Sequence, residues 1–287
     1  MGKPAKKGRR PACLLPLAAL AAGLLWVGNF TVGRTELSVC SEKLPAAFEG
    51  FRIALVTDLH NRVFGPENDW LIGQLESAKP DLIALSGDIA DEDSDLDVLS
   101  ALLPRLSAIA PCVYVTGNHE WRMKDREAWF SLLEKSGVTY LSNRFARLTR
   151  GESEIMIAGV DDPNGPRDQK TPGKLLREVK VAAPDDYIVV LCHRNDQLEN
   201  LANLGADLVL SGHAHGGVVR LPIFGAVFGT HYELFPEDTE GVITRGEACM
   251  VVSRGLGGSR RLPVRIANRP EIPVITLHSK EQLKYLR

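Results

Sequence analysis

Short apolar, β-branched runs recur along most of the chain and alternate with stretches of helical period. The runs are Arg52–Thr57, Asp81–Ser86, Cys112–Thr116, Ile155–Val160, Tyr187–Leu191 and Asp207–Leu210, and each ends at a polar or glycine-containing cluster. Between them, Asn68–Ala78, Leu96–Ala108, Arg126–Lys135 and Gln197–Leu204 repeat apolar residues at helix spacing. Strands this uniformly apolar are buried on both faces, so the alternation predicts an α/β domain with largely parallel strands. After Gly216 the texture changes to short strands rich in Gly and Pro, ending at Pro273–Leu277, which predicts a more antiparallel second sheet. No internal repeat or second linker interrupts residues 46–287, which read as one domain.

The N-terminus has a different pattern. From Pro11 to Gly33 no residue is charged, and Lys3, Lys6, Lys7, Arg9 and Arg10 crowd the positions before it. As a helix those residues would span about 34 Å, enough for a hydrocarbon core of roughly 30 Å. Residues 1–33 are therefore expected to be a basic N-terminus followed by a membrane anchor, with 34–45 a short strand or linker. The basic cluster would stay cytoplasmic and leave the rest of the chain outside the cytoplasm. A cleaved signal peptide is the rival reading, since Ala18–Gly23 offers small residues near a processing site. The Arg9-Arg10 pair also hints at a twin-arginine export signal, though the residues after it fit that pattern poorly.

Composition narrows the partners. A net charge of -2 across 287 residues gives no polyanion-binding surface, so nucleic acid is not expected. The five cysteines show no CxxC spacing, which argues against a disulfide framework or a cysteine-rich zinc site; Cys112 and Cys192 read as buried thiols.

In open α/β sheets ligands sit beyond the carboxyl ends of the strands. In this chain the strand ends deliver Asp58-Leu59-His60, Gly87-Asp88, Gly117-Asn118-His119-Glu120, His193 and Gly212-His213-Ala214-His215. Five of the seven histidines fall there. Carboxylates, an amide and neutral imidazoles suit Mn, Fe, Zn or similar divalent ions. An extended backbone in Asp58-x-His60 and His213-x-His215 would point both members to one side. Glycines before Asp88, Asn118 and His213 would let the backbone turn tightly and come close to the ions.

Taken in order, these residues resemble the signature of the calcineurin-like metallophosphoesterases. Lys43–Phe51, the run Gly212–Pro222 and Ser253–Gly257 are similar to a bacterial membrane-associated branch, so the resemblance extends from about residue 43 to the end. It implies a two-sheet sandwich flanked by helices (α/β/β/α) and a dinuclear metal site. By that resemblance Asp58, His60 and His215 hold one ion; Asn118, His193 and His213 hold the other; Asp88 bridges the pair; and His119 acts at the scissile phosphate. The implied activity is hydrolysis of a phosphate ester or anhydride. A phosphodiesterase or pyrophosphohydrolase acting on a small-molecule, lipid or envelope phosphate leads, and a phosphomonoesterase or phosphoprotein phosphatase is the alternative. Arg194-Asn195 stands where many relatives have a small residue and a proline.

The remaining polar residues have blander readings. Arg220, Arg254, Arg260 and Arg261 either grip an anionic substrate or form a solvated basic face. His231 and His278 read as structural or surface residues, Asp161-Asp162 as either a secondary polar lining of the site or the start of a loop, and Asp91–Asp97 as an acidic loop leading into a helix.

Overall fold

The computed structural model describes residues 14–221, 223–230, 232–258 and 264–279. Its first element, α1 (Leu14–Phe30), is a helix of 17 residues without a charge. Such a helix is about 26 Å long, short of a hydrocarbon core. No helix among the described residues is long and apolar enough to cross a membrane. The expected apolar span loses its end because the chain leaves the helix after Phe30 and starts a strand at Gly33; its start, Pro11–Cys13, lies outside the described residues.

That strand, β1 (Gly33–Ser41), is followed by β2 (Arg52–Val56), α2 (Asp69–Ala78), β3 (Leu82–Ser86), α3 (Leu96–Ile109) and β4 (Cys112–Val115). Then come α4 (Arg126–Lys135), β5 (Val138–Tyr140), β6 (Phe145–Arg150), β7 (Ser153–Val160), α5 (Pro172–Ala182), β8 (Ile188–Cys192), α6 (Leu198–Asn203) and β9 (Leu208–Ser211). The last part holds β10 (Val219–Leu221), β11 (Gly225–Phe228), β12 (Gly241–Arg245), β13 (Ala248–Val252) and β14 (Glu271–Ser279).

Two six-stranded sheets form, in the orders β1-β14-β2-β3-β4-β5 and β12-β13-β9-β8-β7-β6. Ile53, Leu55, Ala84 and Val113 from the first meet Ile157, Val189, Leu191 and Leu210 from the second in a shared core. The outer face of the first sheet packs on α2, α3 and α4 through residues such as Leu75, Leu103 and Trp129. The outer face of the second packs on α5 and α6 through Leu176, Val179 and Leu201. The result is two mixed sheets between helical layers.

The strands after Gly216 do not join into one second sheet. β13 pairs in parallel with β9 and so extends the second sheet, while β12 pairs antiparallel with β13 as its edge. β10 and β11 form a separate two-stranded hairpin. The helix α5, whose buried Leu175, Leu176 and Val179 share one face, adds to the helical stretches read from the sequence; its Thr171 cap and Pro172 in the first turn mark where it starts. Residues 33–41 do more than link. All nine pair in parallel with β14, from Gly33↔Glu271 to Ser41↔Ser279.

β2, β3 and β4 run parallel, as do β7, β8 and β9. Their carboxyl ends are tied across the sandwich, since Ser86 Oγ donates to the Leu210 carbonyl at 2.9 Å and His193 Nδ1 meets the Ser86 carbonyl at 2.9 Å. Both sheets therefore deliver their terminal loops to one place.

Candidate metal centre

Asp58 and His60 follow β2, Asp88 follows β3, Asn118 and His119 follow β4, His193 follows β8, and His213 and His215 follow β9. The carboxylates and histidines converge as overlapping groups whose ligand atoms lie within 4.8 Å of one another: Asp58, His60 and His215; His60, Asp88 and His119; and Asp88, His193 and His213. Within the groups, His193 Nε2 lies 3.2 Å from Asp88 Oδ2, His215 Nε2 3.5 Å from Asp58 Oδ1, and His60 Nε2 3.8 Å from Asp88 Oδ2. Ligand atoms about 2.1 Å from a common tetrahedral ion would stand roughly 3.4 Å apart, so these spacings fit convergence on a cation.

The polar bookkeeping supports the same fit. Both ring nitrogens of His60, Asn118 Oδ1 and His215 Nδ1 are buried without a hydrogen-bond partner. Buried polar atoms are normally satisfied, so this many in one place calls for a missing partner. Burial pushes His213 down to about 3, and pushes His60 and His215 below the ordinary histidine value as well. Neutral imidazoles are what a divalent ion requires. His193 behaves oppositely: burial would lower it, but the adjacent Asp88 charge overcomes this and raises it to about 10. Its Nδ1 faces the Ser86 carbonyl, which leaves Nε2 turned to Asp88.

The local backbone differs from the extended form expected. Asp58, His60, Asp88, His213 and His215 all have positive φ, between 48° and 67°. Non-glycine residues rarely sit there, and clusters of them occur where the surroundings over-determine the geometry. Alternating strand geometry therefore does not align Asp58 with His60, or His213 with His215; left-handed turns just past the strands do. The crossing of two loops explains the glycines. A Cβ on Gly117 would lie 2.2 Å from Asp88 Oδ1, and one on Gly87 would lie 2.6 Å from the Gly117 nitrogen.

His119 sits at the rim, with Nδ1 2.8 Å from Asp91 Oδ1 and Nε2 3.9 Å from Asp88 Oδ2. Burial alone would lower its pKa, but the Asp91 bond and the Asp88 charge hold it above the ordinary value. Asp91 thus has a role beyond the acidic loop expected of it, and its spacing in Gly87-Asp88-x-x-Asp91 is the signal that could have shown this. Glu120, named in the run after β4 without a role, has one as well. Its fully buried carboxylate accepts backbone N–H groups from Gly117, Asp88, Ile89 and Ala90 at 2.7–3.2 Å, pinning the β3 loop to the β4 loop. Burial, reinforced by the Asp88 charge, pushes this carboxyl up to about 7. Asn268 donates to the carbonyls of His215 and Gly217, and no local motif marks it.

Several other expectations change. Arg220 bonds the Gly216 carbonyl and Glu240, and Arg254 bonds Glu271 at 2.6 Å, so both are internal struts and not an open basic face. Arg260, Arg261 and His231 lie outside the described residues. His278 pairs with Glu49 at 2.6 Å. Asp161 and Asp162 are buried: Asp161 accepts from Thr116 and Tyr140, and Asp162 is forked by Arg194 at 2.7 and 3.3 Å. They brace the β4 and β8 loops and do more than start a loop. Cys112 and Cys192 are buried free thiols.

A family model described as calcineurin-like phosphoesterase matches residues 51–217. The metallophosphoesterase YkuE of Bacillus subtilis is 31% identical, over 96% of this chain and 99% of its own length. The phosphodiesterase YaeI of Escherichia coli is 27% identical over 79% of this chain and 82% of its own. A transmembrane protein with a metallophosphoesterase domain from Danio rerio is 29% identical over 84% of this chain and 56% of its own. With a family match across more than half its length and a fully overlapping relative, the chain belongs to the calcineurin-like metallophosphoesterases, dinuclear metal-dependent hydrolases.

Proposed function

We propose that the chain is a phosphodiesterase or pyrophosphohydrolase, held at a membrane by its N-terminal segment and acting on a membrane or envelope phosphate. The observation that supports the chemistry most directly is the pair of ligand groups meeting at Asp88, with buried nitrogens and an amide oxygen left partnerless around them. In this reading Asp58, His60 and His215 would hold one ion and Asn118, His193 and His213 the other, with Asp88 as the ligand they would share. A bound pair of divalent cations lowers the pKa of a water towards 7 and neutralises the phosphate oxygens. Oxygen and imidazole donors favour Mn, Fe or Zn.

The chain's own residues supply the rest. Glu120 fixes Asp88 and the Gly117 turn, so the ligands are held before substrate arrives. Asp91 orients the His119 ring and fixes its proton-bearing Nδ1, leaving Nε2 towards the centre. The Asp91 and Asp88 charges favour the doubly protonated ring, which gives its Nε2 proton to the departing oxygen as the P–O bond breaks, a role worth about 10²–10⁴-fold.

Two features favour a diester or anhydride at a membrane. The relative from Escherichia coli is named a phosphodiesterase, and the relative from Danio rerio a transmembrane protein. The apolar α1, preceded in sequence by five basic residues, suits lipid contact with the enzyme domain outside the cytoplasm. Rates on bis-p-nitrophenyl phosphate and p-nitrophenyl phosphate with added Mn test the proposal. Preference for the diester supports it, and preference for the monoester would favour a phosphomonoesterase on the same scaffold.

A further inference from the structure

We infer that the β10–β11 hairpin and the turn after it form a second lipid contact beside α1, setting the metal centre against a membrane surface from which it draws a phosphate-bearing lipid. The inference rests on the reading of α1 as a lipid-embedded segment.

Ile223 is 101% exposed, Phe224 72%, Leu234 73% and Phe235 65%, with Leu221 and Tyr232 also in the open. Single exposed apolar side chains are ordinary, but a contiguous set marks a contact surface. This set is held together by backbone. Phe228 bridges Leu234, Phe235 N donates to the Val227 carbonyl at 3.1 Å, and Val219 bridges Ile266. Ile266 and Val264 are exposed too and extend the patch towards α1.

The junction with α1 is specific. Asn29 exchanges two hydrogen bonds with the Arg265 backbone, at 2.8 and 2.9 Å. Above that junction Leu24, Leu25, Trp26 and Val27 are exposed, so the domain offers this apolar helix little cover. A helix apolar all round needs an apolar surrounding. Two guanidinium groups ring the junction: Arg62 donates to the Asn29 carbonyl, and Arg269 to Thr31 Oγ1 and the Val32 carbonyl at 3.0 and 2.8 Å. Cations at the point where an apolar helix ends suit anionic headgroups, so the occupant is a lipid surface and not another protein.

The patch borders the reaction centre. β10 starts four residues after His215, and Asn268, next to this junction, donates to the carbonyls of His215 and Gly217. A lipid phosphate at headgroup depth would thus lie beside the His213–His215 loop.

The full chain is reconstituted in vesicles of phosphatidylcholine and phosphatidylglycerol carrying brominated acyl chains. Phe224→Trp should add fluorescence that bromine quenches beyond the parent protein's; unquenched added fluorescence overturns the inference, including where the patch pairs with a second copy. In the double variant Ile223→Asp, Phe224→Asp, hydrolysis of a vesicle-borne phospholipid diester should fall about tenfold or more, since interfacial binding scales with apolar area buried. Hydrolysis of soluble bis-p-nitrophenyl phosphate should stay unchanged. Equal rates for parent and variant on the vesicle substrate overturn the inference. A parent that cuts neither substrate refutes the functional reading, and the quenching result then decides the membrane contact alone.

Discussion

Replacing Glu120 by Gln keeps the volume and changes one acceptor into a donor. Each carboxylate oxygen accepts two backbone N–H groups: Oε1 those of Ile89 and Ala90, Oε2 those of Asp88 and Gly117. A glutamine can serve only one pair, and its NH₂ then faces two N–H groups. Leaving two buried donors unsatisfied costs about 1–3 kcal/mol each, so about 2–6 kcal/mol together. Removing a charge that burial and Asp88 already disfavour offsets part of this. The thermal midpoint should drop by roughly 5–15 °C. The loop bearing Asp88 would also shift, and displacements approaching 1 Å cost about 10²-fold in rate. Calorimetry, metal content and turnover of bis-p-nitrophenyl phosphate would be measured on one preparation. A glutamine variant with the parent's midpoint and turnover would refute the idea that an ionised Glu120 pins the two loops.

Other expectations follow from the same geometry. Asp88→Ala should strip both ions, read by elemental analysis, and abolish turnover while circular dichroism is preserved; retained activity would count against Asp88 as the shared ligand. His119→Ala should keep its metal and lose about 10²–10⁴-fold in kcat, and an equal loss of metal would contradict a proton-donor role. Asp91→Asn should slow turnover by about tenfold or more without metal loss, by weakening the hold on the His119 ring. Burial alone would raise Glu271, but Arg254 holds its carboxyl below the usual range. The depressed value means its stabilisation is present above the unfolded pKa and fades as pH falls through the folded one. Glu271→Gln should therefore cost about 1.5–3 kcal/mol at neutral pH, and the gap from the parent should narrow in acid, as seen by denaturant titration at several pH values.

The strands that deliver the site were readable because β2, β3, β4, β8 and β9 are buried on both faces, and their apolar runs end abruptly at polar residues. The letters Asp58, His60, Asp88, Asn118, His193, His213 and His215 stood out for the same reason. The left-handed backbone at Asp58, His60, Asp88, His213 and His215 did not, because φ is imposed by loops from two sheets crossing, a non-local cause. Glu120 was visible as a residue, but its work is done on backbone N–H groups that carry no side-chain signature. β6 alternates half-buried and exposed positions at a sheet edge, which is faint in a single sequence. The helix α1 was expected as part of a longer span; the pairing of residues 33–41 with β14 sets where it stops.

That pairing bears on how fragments of this protein will behave. A shortened version beginning at residue 46 would lose β1 and leave β14, nine residues long, with one flank of its backbone groups unmatched. Such a flank is sticky, and a neighbouring molecule's strand is the readiest substitute. Clumping of the trimmed protein would then reflect the missing strand and say nothing about its chemistry, and a cut placed before Gly33 would avoid it.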